Sequence, residues 1–422
     1  MTFNGAADPR AAHHHLSLAC NHCAEAPCAV ACPARAFNRD EAAGTLTLEA
    51  DRCLGCRYCA WVCPFQAPLF DEAGGVMGKC TFCAERRSSG GEPACVHACP
   101  TGALTFGRHN EVAAETVSRP LLEGAAGFPR TSAGPSIRFR PRRAGATPPE
   151  STWQLEPEVL AAFDAARPAP AAAAGLGHEW PLLVFTLAAS LVVALETAAF
   201  AGRGIASCWP ALLAVAALAV SPLHLGRPRR AWRALLGLGS SWLSREIALF
   251  GALAVLIVLG VLSRPLGEAL RPVAVAVGWA TLFAVDRVYD VVRRPRALPV
   301  HSADTLLVAA FLSAILTGSQ GLAVAIGALR LGCYTARKLA LRREGRPTRA
   351  HLAAVRTIAG FGLPLVALWL EPPVAAVVAG VGLTLGELVD RAELYLELEP
   401  TTPRETAARD LAAAVARQNA IE

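Results

Sequence analysis

Hydrophobic positions divide this chain into two unlike parts. From Trp180 onward, Ala, Leu, Val and Gly run in nearly unbroken blocks of roughly 20 residues, the length at which a helix crosses a bilayer. The blocks fall at about 180–201, 209–226, 246–263, 271–289, 303–318, 320–338, 351–370 and 373–396, and they predict eight helices. Helix is the open choice because backbone groups in lipid must be paired within the segment. Trp180, Trp209 and Trp369 stand near block ends, where interfacial aromatics gather. Before residue 110 the pattern is different: short apolar steps follow a thrice-repeated turn signal. The repeats are Cys32-Pro-Ala-Arg-Ala36-Phe37, Cys63-Pro-Phe-Gln-Ala67 and Cys99-Pro-Thr-Gly-Ala103. Proline fixes φ and removes an N–H, so each repeat predicts a tight bend leading into a short strand. The segment between Arg108 and His178 is rich in Ala, Pro, Arg and Gly and reads as a tail followed by a linker. The expected division is 1–110, 111–177, 178–398 and a C-terminal tail at 399–422.

Cysteine spacing gives the first part its chemistry. Of 14 cysteines, all but Cys208 and Cys333 lie in three blocks. These are Cys20, Cys23, Cys28 and Cys32; Cys53, Cys56, Cys59 and Cys63; and Cys80, Cys83, Cys95 and Cys99. The middle block has the C-x2-C-x2-C-x3-C-P spacing of bacterial iron–sulfur ferredoxins, in which three thiolates hold one cubane and the fourth reaches another. The crossed pattern places Cys20, Cys23 and Cys28 with Cys63, and Cys53, Cys56 and Cys59 with Cys32. Cys80, Cys83, Cys95 and Cys99 either close on a third cluster or give three ligands to one and the fourth to another. A zinc site needs four ligands and leaves the extra cysteine of each block unexplained. A disulfide framework expects irregular spacing and a secretion signal. The opening MTFNGAADPRAAHHH has no charged stretch followed by an apolar one. Cys208 and Cys333 read as small apolar residues. The expected fold is an α+β ferredoxin-like [4Fe–4S] domain followed by an all-α polytopic membrane domain of about eight transmembrane helices.

A net charge of +6 does not point to nucleic acid, because the arginines lie between hydrophobic blocks or in the linker. Arg227, Arg229, Arg230, Arg233 and Arg245, then Arg293, Arg294 and Arg296, then Arg337, Lys338, Arg342, Arg343, Arg346 and Arg349 crowd one set of loops; the opposite set holds Arg203, Arg264 and Arg271. The positive-inside rule then puts the cysteine domain and both termini on the cytoplasmic face of a bacterial inner membrane.

Polar residues at block ends are costly near lipid and usually face a cavity. His224 ends one block and Glu246 opens the next, a pairing that reads as a quinone pocket. His224 would hydrogen-bond a quinone oxygen, and Glu246 would take the proton released when a quinol is oxidised. The plain alternative is that both anchor helix ends. Arg245, Arg287 and Tyr289 are further candidates, as are Glu387 and Arg391, which at i,i+4 are also placed to pair with each other. Glu196 inside the first block has no assignment. No block carries a histidine in its middle, so no haem is expected.

Residues 20–106 resemble the electron-transfer subunit of the dimethyl sulfoxide reductase family through Cys20-Asn-His-Cys23, Cys53-Leu-Gly-Cys-Arg-Tyr-Cys59 and Lys79-Cys80. Residues 178–398 resemble that family's membrane anchor through His178-Glu-Trp-Pro, His224-Leu-Gly-Arg-Pro, Leu243-Ser-Arg-Glu246, Arg287-Val-Tyr289 and Gly386-Glu387-Leu. The resemblance implies a natural fusion of two subunits that are usually separate. It implies an eight-helix anchor oxidising menaquinol, with roles for His224 and Glu246. It also implies a molybdopterin-containing catalytic partner that receives the electrons. The family's electron-transfer subunit starts with a further cysteine block, and Thr2-Phe3-Asn4 and His15-Leu-Ser-Leu resemble the segment just after it. Either the sequence starts late or a fourth cluster is lost, and three are expected from the residues present. The same parts run backwards would carry electrons from a dehydrogenase to quinone, menaquinone or ubiquinone. A redox sensor or ion translocator is the rival of another class.

Overall fold

The computed structural model describes residues 2–3, 14–15, 19–107, 131–137, 176–203, 208–290, 300–343, 348–367 and 372–397. Arg293, Arg294, Arg296, Arg346, Trp369, most of the 111–177 segment and the 399–422 tail lie outside the described residues. The chain divides into two compact units, with the second running from Ala172 to Glu399.

The first unit is built from paired small elements. Strand β1 (Thr2–Phe3) pairs antiparallel with β2 (His14–His15). Helix α1 (Pro27–Val30) precedes the β3 (Phe37–Arg39) and β4 (Leu46–Leu48) hairpin, with Phe37 opposite Leu48 and Arg39 opposite Leu46. Helix α2 (Tyr58–Val62) likewise precedes the β5 (Leu69–Asp71) and β6 (Val76–Gly78) hairpin, with Leu69 opposite Gly78. Each hairpin turns on an aspartate that accepts a backbone N–H two residues on: Ala42 N–H to Asp40 at 3.0 Å, and Ala73 N–H to Asp71 at 3.1 Å. Two of the three Cys-Pro repeats therefore lead into strands. After Cys99 the chain turns at Gly102, with φ of 62°, and continues without a strand. Two short helices, α3 (Ala84–Ser88) and α4 (Ala94–His97), carry the third cysteine block. The segment around Ala133 closes on the first cysteine loop, Ala24 N–H donating to Gly134 O at 2.8 Å and Ser136 N–H to Asn21 O at 2.9 Å.

The second unit is helical. In chain order its helices are α5 (Leu176–Phe200), α6 (Trp209–Val220), α7 (Trp242–Leu262) and α8 (Arg264–Asp290). They are followed by α9 (Thr305–Leu316), α10 (Gln320–Arg343), α11 (Ala350–Thr357), α12 (Leu363–Ala367) and α13 (Pro372–Glu397). A π-turn, Ile358–Gly362, joins α11 to α12, and 3-10 turns Ser221–His224 and Pro228–Gly237 follow α6. Each of the eight hydrophobic blocks is thus helical over most of its length. Helix α8 starts seven residues before its apolar block, with Pro265 in its first turn, where the missing N–H costs nothing.

Three of these helices, 177–200, 242–262 and 264–290, are long and apolar enough to cross a membrane; the pair Trp209–His224 and Pro228–Gly237, bent by 101°, adds a fourth when taken as one span. Helices α10 and α13 carry charges at mid-length, and those charges turn inward. The largest fully buried side chains in the described residues are Arg330, Arg356, Arg391 and Tyr395, while Leu262, Trp209, Ile358 and Val377 are more than half exposed. A polar interior under an apolar surface is the arrangement that lipid selects. Helix α13 meets the π-turn through glycine: a Cβ on Gly382 would lie 2.6 Å from Ala359 O, and one on Gly386 would run into the Gly360 backbone. Only glycine permits this approach, which brings Arg356 against Asp390.

Candidate functional site

The loops between the short helices and hairpins leave two cavities lined by sulfur. One is bounded by Cys20, Cys23, Cys28 and Cys63. The other is bounded by Cys32, Cys53, Cys56 and Cys59. Each joins three cysteines of one block to the last cysteine of the other. Backbone N–H groups point at the sulfurs: Ala36 to Cys32 Sγ at 3.3 Å, and Gly55 and Met77 to Cys53 Sγ, both at 3.4 Å. Residues after the Cys-Pro steps take left-handed conformations to do this, Arg35 and Gln66 each at φ of 49°.

Four thiols around an enclosed space, with N–H donors on the sulfurs, suit an iron–sulfur cubane. Among the described residues no three His, Cys, Asp or Glu side chains converge closely enough for a single metal ion. Burial, reinforced by the neighbouring sulfurs of Cys63 and Cys20, pushes Cys23 up to about 11 and Cys28 up to about 12. Burial and Cys32 push Cys56 to about 12. Thiols so placed resist ionisation until a positively charged iron group compensates them. Between Cys20 and Cys23, His22 is buried and pushed down to about 4, first by burial and then by Lys79; its Nδ1 accepts the Leu46 N–H at 3.0 Å.

The third block is placed differently. Cys80 and Cys95 are exposed, and Cys83 and Cys99 are partly so. Cys80 Sγ accepts the Phe82 N–H at 3.3 Å, and Cys83 Sγ accepts the Ala94 N–H at 3.4 Å, so α4 is tied to Cys83 across the long gap. Cys99 is lowered to about 7 by the Leu104 N–H and the Thr101 hydroxyl.

In the helical unit, Glu246 lies in the first turns of α7 and is buried, with Asp286 of α8 and Arg391 of α13 as charged neighbours. Tyr289 has Glu246 and Arg391 as charged neighbours and makes a 2.5 Å hydroxyl contact with Tyr395. Glu246 Oε2, Ser244 Oγ and Arg391 Nε and Nη2 are buried and have no hydrogen-bond partner among the described residues. Asp286 caps α9 from a distance, accepting Thr305 N–H at 2.8 Å and Leu306 N–H at 3.1 Å.

The structure therefore brings Glu246, Tyr289 and Arg391 together. It places His224 at the end of the half-buried 3-10 turn after α6, with Nδ1 against the Ser221 carbonyl. Arg245 instead donates to the carbonyls of Leu238 at 3.0 Å and Gly239 at 2.9 Å. Arg287 is exposed and pairs with Asp290. Glu387 does not pair with Arg391 along its own helix. Arg330 of α10 takes it in a two-pronged contact, because a guanidinium from a facing helix meets both carboxylate oxygens at once. Asp390, Arg356 and Ser302 extend this network, as do Tyr334, Lys338, Glu393 and Glu397 nearer the helix ends. Sequence reasoning missed these residues, and the available signal was Arg330 standing mid-way along an otherwise apolar block.

Sulfur-lined cavities in one unit and an apolar-faced helical bundle in the other define an iron–sulfur electron-transfer protein joined to a membrane anchor. Residues 11–109 match the 4Fe-4S dicluster domain family, and residues 173–341 match the DMSO reductase anchor subunit (DmsC) family. The chain belongs to the dimethyl sulfoxide reductase family, with its electron-transfer and anchor subunits fused in one polypeptide. The thiosulfate reductase electron transfer subunit PhsB of Salmonella typhi is 46% identical over 97 residues, 23% of this chain and 50% of the relative. An anaerobic dimethyl sulfoxide reductase polypeptide of Escherichia coli is 41% identical over 99 residues, 24% of this chain and 48% of the relative. A sulfite dehydrogenase subunit of Allochromatium vinosum is 32% identical over 172 residues, 39% of this chain and 69% of the relative. The chain thus spans about half the length of the first two.

Proposed function

We propose that this chain oxidises a quinol, menaquinol or ubiquinol, within its helical unit and passes the electrons through [4Fe–4S] clusters to a molybdopterin-containing catalytic partner. The observation that carries the quinol site is the group of unpartnered buried atoms on Glu246 and Arg391 beside Tyr289 and Tyr395. Buried polar atoms are ordinarily paired, so such a group fits a ligand that supplies the missing partners. A quinol suits it: Arg391 and a hydroxyl offer donors to one oxygen, and the Glu246 carboxylate is placed to take a proton. His224 is assigned the second oxygen.

Cys20, Cys23, Cys28 and Cys63 would hold one cluster, and Cys53, Cys56, Cys59 and Cys32 a second. Cys80, Cys83, Cys95 and Cys99 would hold a third. When bound, the clusters supply one-electron carriers; the chain supplies thiolates, N–H donors on sulfur and a dry surrounding. We assign all eight helical blocks to the membrane, because Arg330 of α10 and Glu387 of α13, the charges near mid-block, pair inside the bundle. The arginine-rich loops favour the cytoplasmic face for the cysteine unit. Glu246→Gln should slow quinol-dependent turnover and leave cluster reduction by an artificial donor intact. Equal losses in the two assays would overturn the assignment.

A further inference from the structure

The two sulfur-lined cavities share one frame but differ in charge. Cys32 and Cys63 are each followed by proline and by a left-handed residue, Arg35 or Gln66. Amides of Ala34, Arg35 and Ala36 face Cys32, and amides of Phe65, Gln66 and Ala67 face Cys63. Hydrogen bonds to sulfur are thus matched at the two crossing cysteines. The linings are not matched. Around Cys32, Cys53, Cys56 and Cys59 the wall is Pro33, Ala34, Phe37, Leu48, Leu54 and Met77, with no charged residue. Around Cys20, Cys23, Cys28 and Cys63 the wall includes Lys79. Its ammonium is held in place, donating to the Leu46 carbonyl and, at 2.9 Å, to the Cys80 carbonyl. Its charge acts on Cys28 and on His22. Arg39 supports the same side, its guanidinium on the carbonyls of Cys23 and Ala24.

We propose that Lys79 separates the two clusters in potential, so that the one at Cys20, Cys23, Cys28 and Cys63 is reduced before the one at Cys32, Cys53, Cys56 and Cys59. Reduction adds a negative charge to a group that is already anionic with its four thiolates. A fixed cation in the wall favours the reduced state. An electron reaching this pair therefore rests on the Lys79 side. The inference rests on the crossed cysteine assignment above.

The test is a redox titration of the full-length protein, followed by EPR, with iron and sulfide content measured alongside. In the unmodified protein two of the centres must titrate apart; coincident midpoints for all centres would overturn the proposal. Lys79→Met should make reduction of one centre about tenfold less favourable, about 59 mV for one electron, and leave the others unmoved. Lys79→Gln keeps a donor for the two carbonyls without the charge. It should give the same shift at full iron content, and it decides the matter if Lys79→Met loses iron. Lys79→Arg should stay near the original value. Unchanged midpoints in Lys79→Gln would overturn the proposal. Cys63→Ser in the same titration should remove the centre that Lys79 moves. If that centre survives, the cysteine assignment fails while the charge effect stands.

Discussion

Arg330 and Glu387 face each other from α10 and α13 in a two-pronged ion pair, Nη1 to Oε1 at 2.7 Å and Nη2 to Oε2 at 2.6 Å. Arg330 is wholly buried, and its Nε also donates to the Ser302 carbonyl at 2.9 Å, so the pair ties the start of α9 to both helices. Arg356 and Asp390 stand beside it, 3.0 Å apart, and leave the group balanced in charge.

Removing one partner of such a pair leaves an uncompensated charge in a dry interior. Arg330→Ala should lower stability by roughly 3–5 kcal/mol, while an apolar replacement of both partners should cost far less. Thermal unfolding of the detergent-solubilised protein checks this. A single variant as stable as the double would show that the pair carries no net weight.

Cys32 and Cys63 are the crossing points of the cysteine unit, each lining a cavity otherwise formed by the other block. On the proposed crossed assignment, Cys32→Ser should disturb the EPR centre assigned to Cys53, Cys56 and Cys59, and Cys63→Ser the centre assigned to Cys20, Cys23 and Cys28. Spectra in which each substitution affects only its own block would mean that the blocks do not cross.

The raised thiol values give a pH dependence in the iron-free protein. From the ordinary 9.0, Cys23 rises to about 11, and Cys28 and Cys56 to about 12, all chiefly through burial. A thiol whose folded value lies above its unfolded one favours the fold while it stays protonated. That contribution is complete below about pH 9 and is lost as pH climbs from 9 toward 12. The iron-free full-length protein should therefore lose stability over that alkaline range, as followed by intrinsic fluorescence. The iron-loaded protein, with its sulfurs already ionised, should lose much less. Cluster insertion near neutral pH should release protons, measurable in weakly buffered solution.

Local chemistry made much of this protein legible. Cysteine spacing and the Cys-Pro repeats announce iron–sulfur loops, because three cysteines of each of the first two blocks lie within a few residues of one another; the fourth at each cavity comes from the other block. Apolar block length announces helices, because lipid leaves the backbone no other partner. The burial of Glu246 could be read as well, since an acid at the start of an apolar block is costly facing lipid.

Partner choice across the bundle could not be read. On sequence, Glu387 has Arg391 one turn away; in the structure it binds Arg330, 57 residues distant. That exchange depends on the close approach of α13 to its neighbours and on bidentate geometry, and neither is visible along a chain. Likewise, Asp286 is drawn to the start of α9 by unpaired N–H groups that exist only once the helices pack. Lys79 looked like the residue before a cysteine until folding set its charge in the wall of another block's cavity. Residue type and spacing are local and determined which groups this protein has. The burial of charge, which is long-range, decided which of them meet.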